Sequence, residues 1–352
     1  MKSGEAFLPL HDGKAPRWLL EKMKKLSSLL IEAIIGLYGT EELLRRLSDP
    51  FWFQSFGCLL GFDWHSSGLT TTVCAAIKEG IRGKEKSLGF FAAGGKGQRA
   101  LKTPEEVTYW SGILGIDGES LVLASRLSAK VDNVALQDGY SLYQHMIFFD
   151  SKGNWAVVQQ GMNLELMYAR RYHWLSIGIG SFVNEPHSGI ASPIKHDKVL
   201  NLVASESAAN RNATLEMVKE LSFKEIRRMF LGRDNPIISF PQMDLNRFLR
   251  KFEELKEYKL ADFEELLLVK GLGAKTLRAL SLTAELLTGK APSYRDPVRY
   301  TYAHGGKDGY PYPVDRETYS KTIQILESIV RRAELARSEK EKLFKRLTLI
   351  SR

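Results

Sequence analysis

The stretch that decides the organisation of the C-terminal half runs from Asp262 to Leu287 and reads DFEELLLVKGLGAKTLRALSLTAELL. Apolar residues recur at helical spacing on both sides of a short glycine-containing segment, which predicts two helices joined by a turn. Gly271 and Gly273 bracket Leu272, and glycine tolerates the positive φ or close backbone approach that such a turn requires. Leu272 is expected to lie between the helices and to set their angle.

The residues around this turn also have the chemistry of an anion site. The amides of residues 273–275 would lie at a helix N-terminus, where unpaired N–H groups and the helix dipole favour a phosphate. The stretch therefore resembles a helix-hairpin-helix motif that binds the DNA backbone without reading bases. Its predicted DNA-binding residues are Lys270, Gly271, Gly273, Lys275, Thr276 and Arg278. The alternative is an ordinary αα-hairpin, because Gly-x-Gly is a common pattern.

The composition is that of a folded protein with a basic excess. The chain has 352 residues, with 50 Lys or Arg against 41 Asp or Glu, a net charge of +9. This excess favours a polyanionic partner. Cys58 and Cys74 lie in apolar surroundings, which indicates reduced core thiols. The first 16 residues lack the apolar run of a signal peptide, and no stretch is apolar enough to span a membrane. We therefore expect a cytoplasmic protein.

The fold is expected to be α+β with two domains. Residues 1–83 have helical patterns. Residues 87–192 read as mixed or antiparallel strands with glycine turns and a short helix that begins at Thr103, and the two parts together form an N-terminal α+β domain, 1–192. Residues 197–352 are predicted to form a C-terminal helical domain that contains the hairpin at 262–287. The clearest β-hairpin joins strands at 143–149 and 155–160.

The central segment is where catalytic residues are expected if the protein is an enzyme. A metal-dependent phosphodiesterase needs carboxylates that hold Mg²⁺ or Mn²⁺ and a His or Gln near the attacking water. The candidates are Asp138, His145, Asp150 and Gln160, which could be brought together with Asp132 on one sheet edge, with Asp138 and Asp150 as the metal ligands. A restriction-type nuclease core would have Glu-x-Lys near Gln160, and the lysine is missing. His145 shares its side of the strand with apolar residues, so a structural core histidine is the alternative.

Three further stretches have both a functional and a structural interpretation. Asp63 and His65, followed by several hydroxyl residues, could hold a phosphate or a metal, or could lie in a loop whose hydroxyls cap the next helix. Residues 90–99, FFAAGGKGQR, could touch a phosphate backbone or form a solvated turn. Residues 331–352 carry eight Lys or Arg against three Glu, either as a solvated helix face or as a DNA-facing tail.

Several longer strings carry a family resemblance. They are Leu8–Pro16, Arg46–Pro50, Asp63–Gly68, Lys270–Thr276 and Ala303–Gly309. On these strings the sequence resembles the conserved archaeal and bacterial family catalogued as domain of unknown function 763. The resemblance implies a prokaryotic, often thermophilic, cytosolic protein suspected of handling DNA, and it implies no catalytic residues.

Three functions are therefore expected as alternatives. The first is a DNA-binding protein of repair or processing that holds duplex or branched DNA by its backbone. The second is a nuclease that uses Mg²⁺ or Mn²⁺ in the central segment. The third is a structural or assembly protein in which the helical hairpin only packs. Each is compatible with a homo-oligomer.

Overall fold

The computed structural model describes residues 17–62, 66–231, 244–298, 324, 327–331 and 337–350. The chain is the α+β protein that its sequence predicts, with a helical N-terminal part and a central antiparallel sheet. Asp63, His65 and the string Ala303–Gly309 lie outside the described residues.

The N-terminal segment is helical because apolar residues recur at helical spacing and a proline begins its second helix. The bounds are Arg17–Leu47 for α1, Pro50–Leu60 for α2 and Gly68–Gly80 for α3. Helix α1 kinks at Gly39, which has a φ of 83°. Asp49 caps α2 by accepting hydrogen bonds from the amides of Phe51 and Trp52 at 2.8 and 2.9 Å. Pro50 occupies the first helical position, where its missing N–H costs nothing.

The central sheet has five antiparallel strands in the order β1-β3-β4-β5-β6, and β2 and β7 form a separate pair. The bounds are Phe90–Lys96 for β1, Leu136–Gln137 for β2, Ser141–Asp150 for β3, Trp155–Asn163 for β4, Tyr168–Leu175 for β5, Gly189–Ala191 for β6 and Leu200–Asn201 for β7. The predicted hairpin is confirmed as β3 and β4, which are paired through Phe149 and Trp155 next to the turn.

Helices also interrupt the segment that was expected to be rich in strands. They are α4 (Glu85–Leu88), α5 (Gln98–Leu101), α6 (Thr103–Leu114), α7 (Gly118–Lys130) and a π-helix (Val131–Ala135). The short helix expected from Thr103 is confirmed as α6, whereas the other helices were not expected, so the prediction for residues 87–192 is incomplete. Asp117 begins α7 by accepting a hydrogen bond from the amide of Ser120 at 3.0 Å. The helix pattern is weak in sequence because small and polar residues alternate with the buried ones.

The described parts of the C-terminal segment are mostly helical, with a departure from expectation near Leu200. Its helices are α8 (Ala208–Glu220), α9 (Phe223–Leu231), α10 (Leu245–Leu255), α11 (Phe263–Leu268), α12 (Ala274–Thr288) and α13 (Arg337–Ile350). Leu200 and Asn201 fall in the range 197–352 that was expected to be helical, but they form β7 and pair with β2. Asn201 also donates its amide to the carbonyl of Ser293 at 2.9 Å, so a long-range contact outweighs the local helical pattern.

The sheet is the middle layer of the fold. One face, with Phe90, Met146 and Val158, packs on α1 to α3, and the other, with Ile147 and Val157, packs on α7 and the C-terminal helices. The core between the sheet and the C-terminal helices runs without interruption across the predicted domain boundary at residues 192–197. The division into two domains stays a prediction. Leu343 of α13 belongs to the core between the sheet and helices α1 to α3, so α13 lies across the sheet from α11 and α12. Among the described helices, none is long and apolar enough to cross a bilayer.

Candidate functional site

The turn between α11 and α12 needs glycine at one of its two glycine positions. Gly271 has a φ of 78°, in the left-handed region that a residue with a Cβ rarely adopts. Gly273 has a φ of −115° and a ψ of 171°, an extended conformation that any residue can adopt. Leu272 is 2% exposed, as expected for a side chain that fixes the packing of the two helices. These dihedral angles describe a helical hairpin, and its identity as a DNA-binding motif stays a prediction.

Two lysines from distant helices hold this turn by its carbonyl groups. Lys130 Nζ, at the end of α7, donates to the carbonyl oxygen of Leu272 at 2.9 Å. Lys251 Nζ, on α10, donates to the carbonyl oxygen of Lys270 at 3.1 Å. Sequence reasoning missed both residues as part of this site. Each is a single lysine on a helix surface, and no local signal relates it to a turn so far along the chain.

Gln137 attaches the start of α12 to the sheet region. Its Nε2 donates to the carbonyl oxygen of Ala274 at 2.8 Å, and its Oε1 accepts from Nε of Arg278 at 2.7 Å. Because both ends of this amide contact α12, the first turn of the helix has a fixed position relative to β2. Arg278 is thereby held beside the first turn of α12.

The N-terminus of α12 has no side-chain cap, whereas the N-terminus of α11 has one. Asp262 caps α11 by accepting a hydrogen bond from the amide of Glu265 at 2.9 Å. Gly273 occupies the corresponding position before α12 and carries no side chain that could accept. The first helical bond joins the amide of Leu277 to the carbonyl of Gly273 at 3.0 Å. The amides of residues 274–276, including Thr276, therefore have no helical acceptor and can bind an anion.

The surface around this N-terminus is positively charged. Lys270, Lys275 and Arg278 are exposed, and within the described part of the chain none of them is paired with a carboxylate. Lys251 is paired with Glu254, so its charge is partly balanced. Lys270, Lys275 and Arg278 thus present exposed positive charge near the start of α12, and their role in binding DNA stays a prediction.

Lys130 lies at the edge of this surface in a partly buried position. Burial is the main cause that lowers the pKa of Lys130, and the charge of Lys251 lowers it further. The two ammonium groups lie near each other because both donate to carbonyl groups of the same turn, those of Leu272 and Lys270. A bound anion would relieve the repulsion between the two ammonium groups.

His145, a predicted catalytic residue, lies in a buried chain of hydrogen bonds between β3, β4 and α7. Its Nδ1 is 2.8 Å from Oε1 of Gln159, and its Nε2 is 2.8 Å from Oγ of Ser125. Gln159 donates its Nε2 to Asp132 at 2.6 Å, so its Oε1 must accept the proton of Nδ1. Nε2 then accepts from Ser125. Burial lowers the pKa of His145, which is therefore neutral and joins the sheet to α7.

Asp132, in the π-helix, completes this chain as a buried acceptor. Its carboxylate also accepts from Nε1 of Trp174 at 2.9 Å and contacts Nε2 of His187 at 2.5 Å. Burial is the main cause that raises the pKa of Asp132, and the contacts with His187 and Trp174 oppose it. The geometry is that of a hydrogen-bonded core to which four separate segments contribute. Asp132 and His145 were both expected at one sheet edge, and Gln159 joins them.

Gln160 lies on the other face of the sheet from His145. The strand register pairs His145 with Gln159, and the residue after Gln159 points to the opposite side. The Gln160 side chain contacts the hydroxyl groups of Thr70 and Tyr143 and donates to the carbonyl of Ser67 at 2.9 Å. The expectation that His145 and Gln160 share one catalytic edge is therefore wrong, because one strand position separates their faces.

Asp138 belongs to a buried ion-pair cluster that ties the sheet to the segment after α12. Arg170 donates to Asp138 at 2.9 Å and to Asp296 at 2.8 Å, and all three side chains are fully buried. Tyr172 donates its hydroxyl to Asp138 at 2.7 Å. Burial alone would lower the pKa of Arg170, but the two carboxylates outweigh it and raise that pKa. The oxygens of Asp138 are thus occupied by protein donors.

Asp150 is the acceptor of the turn between β3 and β4. Its carboxylate accepts from the amides of Lys152 and Asn154 at 2.9 and 3.0 Å and from the Thr40 hydroxyl at 3.0 Å. These bonds are those of an Asx-type turn that is also attached to α1. Its role in this structure is to close the hairpin.

The two carboxylates predicted as metal ligands do not meet. Asp138 bonds to the amide of Tyr140 just before β3, whereas Asp150 is the last residue of that strand. Ten residues of extended chain separate them by about 30 Å, and metal–oxygen bonds are about 2 Å long. The pairing of Asp138 with Asp150 as metal ligands is therefore wrong. No cluster of three His, Cys, Asp or Glu in the described ranges could hold a metal ion.

Comparison with known proteins identifies a family and no characterised relative. The family model described as "Protein of unknown function (DUF763)" matches residues 4–314. No curated protein matches the chain, and no solved structure matches it. The match covers most of the sequence, including the sheet, the buried hydrogen bonds that link Ser125 to Asp132, and the helical hairpin. The chain therefore belongs to the DUF763 family.

Proposed function

We propose that the protein binds DNA by its phosphate backbone, independently of sequence, at the N-terminus of α12. The observation that carries this proposal is the open N-terminus behind Gly273, which faces an exposed group of cations. A phosphate there could accept from the amides of residues 274–276 and lie between Lys270 and Lys275.

The side-chain contacts that hold the turn support the same function. Lys130, Lys251 and Gln137 hold its carbonyl groups, so the amides are presented in a fixed direction before any ligand binds. A preorganised site avoids the ordering cost of forming on contact. Backbone contacts of this kind position a duplex and carry no base information, so the partner class is duplex or branched DNA in repair or processing.

The test is a binding measurement with matched charge changes. The variant Lys270→Ala/Lys275→Ala should bind a labelled duplex more weakly at moderate salt, and its plot of log K against log salt should be less steep by about two. The control Arg82→Ala/Lys84→Ala removes the same charge from residues paired with Glu79 and Glu32. Equal binding by the two double variants would contradict the proposal.

Cleavage with Mg²⁺ or Mn²⁺ stays an alternative prediction, as do a purely structural role and a homo-oligomer. Incubation of duplex, single-stranded and branched DNA with either metal, against EDTA, tests cleavage directly. If cleavage occurs, Asp138→Asn and Asp150→Asn are expected to change stability more than rate, because protein donors already occupy both carboxylates.

A further inference from the structure

The end of β1 carries a second group of exposed cations. Lys96 and Arg99 flank Gly97, and both are exposed, with no carboxylate partner in the part of the chain that the structure describes. Glu106 also contacts this loop, but its carboxylate is paired with Lys78 at 2.6 Å and accepts the amide of Gly94 at 2.7 Å. The loop therefore presents net positive charge.

The backbone of this loop has a fixed shape. Gly94, Gly95 and Gly97 have φ values of 111°, 152° and 60°. The amide of Gly97 donates to the carbonyl of Tyr143 at 2.8 Å, and Lys96 Nζ lies 5.6 Å from the centre of the Tyr143 ring. Lys96 thus lies beside β3 and remains exposed to solvent.

A continuous series of contacts joins this loop to α7. Gly95 is the cross-strand partner of His145, and a Cβ placed on Gly95 would lie 3.1 Å from Cβ of Arg99. Arg99 therefore lies over the strand beside His145. Nε2 of His145 is 2.8 Å from Oγ of Ser125, and the next residue on α7, Arg126, is exposed.

Helix α7 then leads to the glycine turn. Arg126 and Lys130 are one helical turn apart, about 6 Å along the axis, and so lie on the same helix face. Lys130 Nζ reaches the carbonyl of Leu272 at 2.9 Å. Arg99, Arg126 and Lys130 thus lie in this order between the end of β1 and the turn, and we call this series of cations the basic track. Its cross-strand and helical spacings sum to a path of at most about 25 Å.

We infer that Lys96, Arg99 and Arg126 form a second phosphate-binding site for the same DNA duplex that the glycine turn holds. The inference rests on the proposed function and extends it, because the hairpin by itself contacts one or two phosphates. A basic track of at most about 25 Å corresponds to at most about seven base pairs of duplex. Two contacts this far apart would fix the direction of the duplex across the end of the sheet, which a single helix N-terminus cannot do.

The experiment compares three double variants on one labelled duplex over a range of salt concentrations. They are Lys96→Ala/Arg99→Ala, Lys270→Ala/Lys275→Ala and the control Arg82→Ala/Lys84→Ala. All three lose two positive charges, so differences between them report position rather than net charge. Thermal melting of each variant checks that it folds. A further single variant, Arg126→Ala, tests the middle of the track.

The inference predicts that Lys96→Ala/Arg99→Ala flattens the salt plot by about two relative to the control and that Arg126→Ala flattens it by about one. If only the hairpin variant is impaired while the β1 variant matches the control, the second site is overturned and the proposed function stands. If the wild-type protein does not bind duplex at all, or the hairpin variant binds like the control, the proposed function fails and the second site fails with it.

Discussion

Lys130 Nζ lies 2.9 Å from the carbonyl oxygen of Leu272, although the two residues are 142 positions apart in the chain. This bond places the end of α7, which reaches the sheet through Ser125 and His145, against the turn between α11 and α12. The helical hairpin is therefore attached to the central layer of the protein, and a ligand bound at the turn would be held rigidly relative to the sheet.

Replacing Lys130 with Met should weaken duplex binding and reduce the slope of log K against log salt by about one. Because burial lowers the pKa of Lys130, its charge is lost at a pH below the ordinary 10.5. Wild-type affinity should therefore decline as the pH rises towards that value, and the decline should be smaller in Lys130→Met. Lys84→Met, at an exposed ion pair, is the matched control. Identical salt plots for the two variants would exclude a role for Lys130.

Alanine at the two glycines of the turn should have opposite consequences. Gly271→Ala should lower the free energy of unfolding by about 1–2 kcal/mol, because alanine is strained at a φ of 78°. Gly273→Ala should leave stability nearly unchanged, since its conformation is ordinary and the described structure has no atom within 4 Å of the added Cβ. That Cβ enters the space where a phosphate would lie, so Gly273→Ala should weaken DNA binding. Urea denaturation and binding isotherms separate the two effects.

The protein should lose stability as the pH falls below 6.5, the ordinary pKa of histidine. Burial lowers the pKa of His145, and burial and the charge of Arg171 lower that of His173 well below 6.5. The unfolded chain then takes up protons that the folded chain does not, so stability present above this pH is lost below it. At one pH unit below the ordinary pKa of histidine, each of these two residues lowers the free energy of unfolding by at most about 1.4 kcal/mol. Urea denaturation above and below pH 6.5 measures this loss. Denaturation midpoints that do not change with pH would contradict neutral histidines in the core.

Replacing Asp150 with Asn should destabilise the protein without affecting DNA binding. The amide would place an NH₂ group where Asp150 accepts from Asn154 and Thr40, which leaves donors facing each other at a cost of about 1–3 kcal/mol. Thermal melting should show the loss, and duplex binding should match the wild type below the melting transition. A binding defect in folded Asp150→Asn would place this residue at the DNA after all.

Local patterns were sufficient for much of the fold. Helix caps such as Asp262, the turn chemistry of residues 150–154 and the apolar spacing around Leu272 each act within a few residues, so they can be recognised in sequence. The same holds for the alternation that places His145 among apolar neighbours on β3. These features use hydrogen bonds and side-chain spacing that are already decided by nearest neighbours in the chain.

Sequence patterns thus predict the α+β class, the hairpin of β3 and β4, and the glycine turn with its neighbouring cations. Only the folded chain shows that Asp138 and Asp150 are far apart, that Gln160 faces away from His145, and that Lys130 and Lys251 hold the turn. Strand register, the packing of α7 and the buried pairing of Arg170 with Asp296 depend on groups distant in sequence. Their positions follow from burial of the shared core, which no local pattern records.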